Sequence, residues 1–162
     1  MGCPAPLALV AALLLLAGCG GGGGESSPTK ERFVDDANTI CREGEAKIAE
    51  VAREQRSRLR GAADQQRAVA DVLEATAEEY EPYFARLREL DAPGDLEEGW
   101  SAFLDRVGEA FDLIPELADA TRERDRATLT ELTTRFSQIA ADTRPFAQQN
   151  GLSDCLPDSG QR

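Results

Sequence analysis

Apolar residues recur at steps of three and four along four stretches of this chain, with charged positions filling the intervals. The first stretch carries Phe33, Ala37, Ile40, Ile48, Val51 and Leu59. The second carries Val69, Val72, Leu73, Tyr80, Tyr83, Phe84, Leu87 and Leu90. Leu96, Trp100, Phe103, Leu104, Val107, Phe111, Ile114 and Leu117 form the third, and Leu129, Leu132, Phe136, Ile139 and Phe146 the fourth. That spacing places each set on one face of a helix. It predicts helices over about 31–60, 63–90, 95–121 and 128–149. No stretch alternates at period two, so the expected fold class is all-α.

The punctuation suits four helices. Gly61 stands where a helix end favours a left-handed residue. Asp91-Ala92-Pro93-Gly94 reads as a turn, and Asp95 with Glu98 resembles a capping box opening the third helix. Thr128 with Glu131 does the same for the fourth, and Asn150-Gly151 ends it. Short connections between long helices favour antiparallel neighbours. The expected architecture is therefore an antiparallel up-down-up-down four-helix bundle. In such a bundle the start of the first helix and the end of the fourth share a pole.

Upstream of the bundle, Leu7 to Ala17 form an apolar run too short to span a bilayer but suited to a signal-peptide core. It ends in Leu16-Ala17-Gly18-Cys19, which resembles the lipobox of bacterial lipoprotein precursors. That resemblance implies a signal peptide over 1–18, cleavage before Cys19, and lipid on its thiol. Lipidation would anchor the chain to the cell membrane with its domain on the extracytoplasmic side, since two or three acyl chains hold a protein stably. The other reading is an ordinary secretory signal in which Cys19 is incidental. The Met1-Gly2 start is no myristoylation signal, because Pro6 stands where Ser or Thr is needed. Residues 19–30 contain the run Gly20 to Gly24 and read as a flexible tether with a reach of about 20 Å. Residues 31–162 form one domain, long enough to bury its own core.

Charge narrows the partners. Thirty acidic residues against eighteen basic ones give a net charge of −12, all of it beyond the apolar run. Such a chain does not bind nucleic acid, which calls for a basic face to displace counterions. Adhesion to anionic lipid is disfavoured too, leaving the lipid anchor to supply membrane affinity. Histidine is absent, and Met1 is the single methionine. Triads built on histidine, Glu-x-x-His di-iron ligands and histidine-held haem are thereby excluded. The glycine run lacks the Gly-Lys-Ser/Thr continuation of a phosphate loop. Glu78, Glu79 and Glu81 read as a solvated helix face. The expectation is no enzyme, no catalytic residue, no cofactor and no metal.

After Cys3 and Cys19 are set aside, Cys41 and Cys155 remain. In an exported chain an even remainder reads as a disulfide. A two-thiolate metal site without histidine and a pair of free buried cysteines are the other readings. The shared pole of the bundle brings the two cysteines within reach of each other. Ala37-Asn38-Thr39-Ile40-Cys41 and Gly151-Leu152-Ser153-Asp154-Cys155 resemble the Ala-x-x-Ile-Cys and Gly-Leu-x-x-Cys segments of a group of small helical actinobacterial lipoproteins. That resemblance implies the same fold, bridge and location, and contributes no catalytic residue.

Two surfaces invite a partner. Pro82, Pro115 and Pro145 interrupt helical pattern, and bends there would open an apolar pocket near Tyr80, Tyr83, Trp100 and Phe111. The alternative is that Pro82 and Pro115 sit at segment starts and the aromatics are ordinary core. At the pole away from the tether, Arg53, Arg56, Arg58 and Arg60 would meet Arg122, Arg124 and Arg126. These could face an anionic wall polymer or an envelope protein. Matching of cations to helix ends explains the same placement. The functional expectation is a non-catalytic interaction or binding module of the cell envelope, with a carrier or sensor of a small apolar ligand as the alternative.

Overall fold

The computed structural model describes residues 29–156, and every described secondary-structure element is helical. The lipobox, Cys19 and most of the tether lie outside the described residues. α1 spans Lys30–Gly61, opened by Thr29, whose hydroxyl accepts from the Arg32 amide at 3.3 Å. Gly61 is its last residue rather than a left-handed cap, because the chain leaves through extended Ala62. α2 spans Gln65–Arg88, capped by the Asp64 carboxylate accepting from the Arg67 amide at 3.2 Å. It runs on through Pro82, which therefore does not start a segment. Pro82 lies on the exposed face, where water can serve the carbonyl that proline leaves without a donor.

The third predicted helix is two. α3 spans Glu97–Asp112 and α4 spans Ile114–Glu123, parted at Leu113. Pro115 lies in the first turn of α4, where its missing N–H costs nothing, and α3 cannot donate through it. Burial of Leu113, 4% exposed, fixes the corner. Asp95 does not cap α3: the cap position is Leu96, with no side-chain cap bond, and its amide closes a turn onto Pro93 O at 2.7 Å. α5 spans Arg126–Asn150, starting two residues before the predicted Thr128. Asp125 is the better cap because its carboxylate accepts from both Ala127 N and Thr128 N. The last turn of α5 closes on Gly151 at φ 75°, and a 3-10 turn follows over Ser153–Cys155.

Two apolar clusters hold these helices. The larger joins Phe33, Ala37, Ile40 and Cys41 of α1 to Phe84 and Leu87 of α2, Trp100, Phe103 and Leu104 of α3, and Ala147 and Leu152. The smaller joins Leu113, Leu132 and Ile139. α1 packs along α2 and against the 3-10 turn, α2 against α4, and α3 and α4 against α5. α1 and α5 do not pack side by side along their lengths. They are tied at one end instead. Lys30 Nζ donates to Asn150 Oδ1 at 2.9 Å, and Asn38 Nδ2 donates to Gly151 O at 2.8 Å. Asn38 Oδ1 accepts from Asp154 N, and Arg42 pairs with the Asp154 carboxylate at 2.6 Å. Beside them Cys41 and Cys155 form a disulfide, with Cα atoms 5.0 Å apart. The bridge answers the question the cysteine count left open, and a two-thiolate metal site falls with it.

Candidate functional site

Where α1 and α5 part, a half-open groove of about 580 Å³ runs into the domain. Ile48 and Ala49 of α1 form one wall, and Phe136, Ile139 and Ala140 of α5 the other. Tyr80 of α2 with Val107 and Phe111 of α3 makes the floor, and Cys155 with Leu156 closes the disulfide end. Polar atoms enter through Glu45, Thr143 and Asp154. The volume falls within the range of small-molecule sites, mostly apolar with a few polar groups.

The floor is shaped by α1 having no side chain at Gly44. A Cβ there would stand 3.0 Å from Tyr80 Cδ2 and closer still to Cε2. Tyr80 therefore brings one ring edge up to the α1 backbone at Gly44 and stacks on Phe111 with ring centroids 5.1 Å apart and planes at 15°. Burial, and secondarily the Glu45 carboxylate, push the Tyr80 phenol above its ordinary pKa. The Thr143 hydroxyl, buried, donates to Ile139 O at 2.9 Å. The Asp154 carboxylate is already engaged by Arg42.

Of the four aromatics singled out from sequence, two line this groove and two do not. Tyr80 and Phe111 belong to it, while Tyr83 packs half-buried against the main core. Trp100 is core, 4% exposed, edge-on to Phe33 at 5.0 Å and stacked on Phe103 at 5.3 Å. Its indole N–H is buried without a hydrogen-bond partner among the described residues. Sequence reading missed Gly44, Ala49 and Ala140. A lone glycine inside a strong helical pattern was the available signal, since it marks a close approach. A second groove of about 560 Å³ lies between α2 and the α3–α4 corner, with Glu74, Glu78 and Glu81 along its rim and Pro115 at its edge.

The turns flanked by the two arginine groups lie at one end. Gln65 Nε2 donates to Leu59 O at 3.1 Å, and Arg124 Nη2 donates to Gln66 Oε1 at 3.1 Å, joining the α1–α2 turn to the α4–α5 turn. Arg53, Arg56, Arg58, Arg60, Arg124 and Arg126 are exposed there. Arg122, the least exposed, is committed to three carboxylates: Asp71 at 3.0 Å, Asp119 at 3.1 Å and Glu74. These bonds hold the Arg122 pKa above an already high value and pull that of Glu74 below the usual carboxylate range. Arg122 is thus neutralised by carboxylates of α2 and α4. Among the described residues no cluster of metal-ligating side chains occurs. No protein-family model, curated protein or solved structure matches the chain.

Proposed function

We propose that this chain is a lipoprotein of the bacterial envelope, held to the membrane through Cys19, whose extracytoplasmic domain is a non-catalytic binding module for a small apolar ligand. Its helices run up-down-up-down, with α3 and α4 together forming the third limb. The apolar groove between α1 and α5 carries the functional reading. In a closed bundle that seam would be filled by side chains from both helices. Here the small side chains of Ala49 and Ala140 leave it open, and a helical domain held by two clusters and a bridge can leave such a space.

The anchor reading is supported by the lipobox-like Leu16-Ala17-Gly18-Cys19 and by a disulfide suited to an oxidising compartment. No helix among the described residues is long and apolar enough to cross a membrane. The arginine end is the weaker candidate for a wall polymer or envelope protein, because Arg122 is already paired with Asp71, Glu74 and Asp119.

Two experiments test the proposal. Feeding cells an alkyne-bearing fatty acid should label the full chain, and Cys19→Ser should abolish the label; equal labelling would refute the anchor. Organic extracts of gently purified full chain should contain an apolar compound that Ala140→Trp, which fills the groove, loses while keeping its helical spectrum. Identical extracts from the two proteins would refute the carrier.

A further inference from the structure

One polar group of the groove is uncommitted, and it carries a proton to donate. The Tyr80 hydroxyl has no hydrogen-bond partner among the described residues, yet it is not shut away from solvent as the Trp100 indole N–H is. Its ring carbon Cζ would stand 3.3 Å from a Cβ at Gly44, so the hydroxyl lies beside α1 one turn before Ile48, at the groove wall. Burial and the Glu45 carboxylate keep the phenol protonated, so it is a standing donor. The other polar groups of the lining are engaged. Asp154 is paired with Arg42 at 2.6 Å, Glu45 has an interaction of its own, and the Thr143 proton goes to Ile139 O. No lysine or arginine lines the groove.

These placements select among ligand heads. An anion at the hydroxyl would face the same Glu45 carboxylate that disfavours the phenolate, with no cation in the lining to offset it. An ammonium brings only protons, so the Tyr80 proton stays unused, and both carboxylates of the lining are already engaged. A carbonyl or ether oxygen takes the Tyr80 proton and adds no charge. We propose that the groove binds an uncharged apolar molecule carrying one such oxygen, which accepts from the Tyr80 hydroxyl while the apolar body lies against Ile48, Phe111, Phe136 and Ile139. This rests on the reading of the groove as a ligand site. The body has room: an engineered cavity of about 150 Å³ holds benzene, and this groove is about four times that volume. The hydrogen bond is worth about fivefold in affinity.

The test uses the full chain in discs of neutral lipid and two uncharged photoprobes, alkylbenzenes with a diazirine in the chain. One keeps its chain as hydrocarbon; in the other a ketone replaces one methylene. Irradiation and peptide mapping report where each probe was held, and concentrations are those in the water at equilibrium, so partition into lipid is not counted. Crosslinks are expected in the peptides bearing Ile48, Val107 and Ala140. Tyr80→Phe keeps the ring on Phe111 and removes only the hydroxyl. It should raise the half-saturating concentration of the ketone about fivefold and that of the hydrocarbon not at all. An equal rise for both probes, or none for the ketone, overturns the Tyr80 assignment while the groove stands. A carboxylate in place of the ketone should need at least about tenfold more probe, and one that saturates at the ketone's concentration overturns the preference for an uncharged head. Absence of groove crosslinks with every probe, or labelling that persists in Ala140→Trp with its helical spectrum intact, overturns the groove itself.

Discussion

Cutting the Cys41–Cys155 bridge is the most informative single perturbation of this fold. The bridge joins positions 114 residues apart, and α1 and α5 have no side-by-side seam to replace it. In the chain-entropy account, a closed loop of that length removes about 16 cal/mol/K from the unfolded ensemble, or about 5 kcal/mol at 25 °C. Alanine is the right replacement at both sites. Cys41 is 2% exposed, and a serine hydroxyl there would need a partner the core does not offer. Cys41→Ala with Cys155→Ala should therefore lower the unfolding free energy in urea by about 5 kcal/mol and the melting temperature by about 15–25 °C. Reductant should bring the parent protein to the same midpoint and leave the double variant where it is. The hydrogen bonds from Asn38 to Gly151 and Asp154 survive in the variant and should keep it folded at low temperature. A loss below about 1 kcal/mol would refute the reasoning, because the unfolded chain would then be compact enough for the bridge to constrain little.

Three further outcomes follow from individual contacts. Gly44→Ala and Gly108→Ala make the same chemical change in helix interiors, where alanine alone adds about 1 kcal/mol. At Gly108 the nearest obstacle is the flexible end of Arg88 at 3.1 Å, so thermal melts should show stabilisation; at Gly44 the Tyr80 ring must move, and overpacking should reverse the sign. Equal stability of the two variants would mean that Tyr80 does not rest on α1. Glu74 has its pKa lowered by Arg122, so its share of stability is present above the unfolded carboxylate pKa and lost as acid protonates the folded group. Between about pH 5 and pH 2 the urea midpoint of Glu74→Gln should fall less steeply than that of the parent, and parallel curves would contradict this. The Tyr80 phenol, followed by its ultraviolet band in Tyr83→Phe, should titrate above an ordinary tyrosine and move partway down in Glu45→Gln. An unmoved midpoint would place the Glu45 carboxylate too far from the ring to matter.

Helical periodicity was legible because it is local. The apolar spacing of Phe33, Ala37 and Ile40, or of Phe84 and Leu87, needs nothing beyond its own helix to be read, and these residues are buried as expected. The cysteine pair was legible for a different reason, since their places near the two ends of the helical region made a shared pole the natural meeting point. Capping was read less well. Asp125 won over Thr128 because its carboxylate reaches two amides at once, and Asp95 lost its role because the Pro93–Leu96 turn carries the chain into α3 without a side-chain cap. Pro115 was recognised as an interruption, but only the burial of Leu113 turns it into a corner.

The site shows where sequence reasoning stops. Tyr80 and Trp100 look alike in sequence, each an aromatic within an apolar stripe. Trp100 faces Phe33 and Phe103 and vanishes into the core, while Tyr80 lies on Gly44 and floors an open groove. The difference lies in what stands opposite each ring, and that is set by helices distant in sequence. Likewise the arginines of α1 and of the α4–α5 turn can be placed at one end from topology, yet the neutralisation of Arg122 depends on Asp71 and Glu74 facing it from α2. Local periodicity by itself determined that this chain is helical and which stripe of each helix turns inward. Tertiary packing alone decided that α1 and α5 stand apart, because the gap is a property of two surfaces that meet only after the chain has folded.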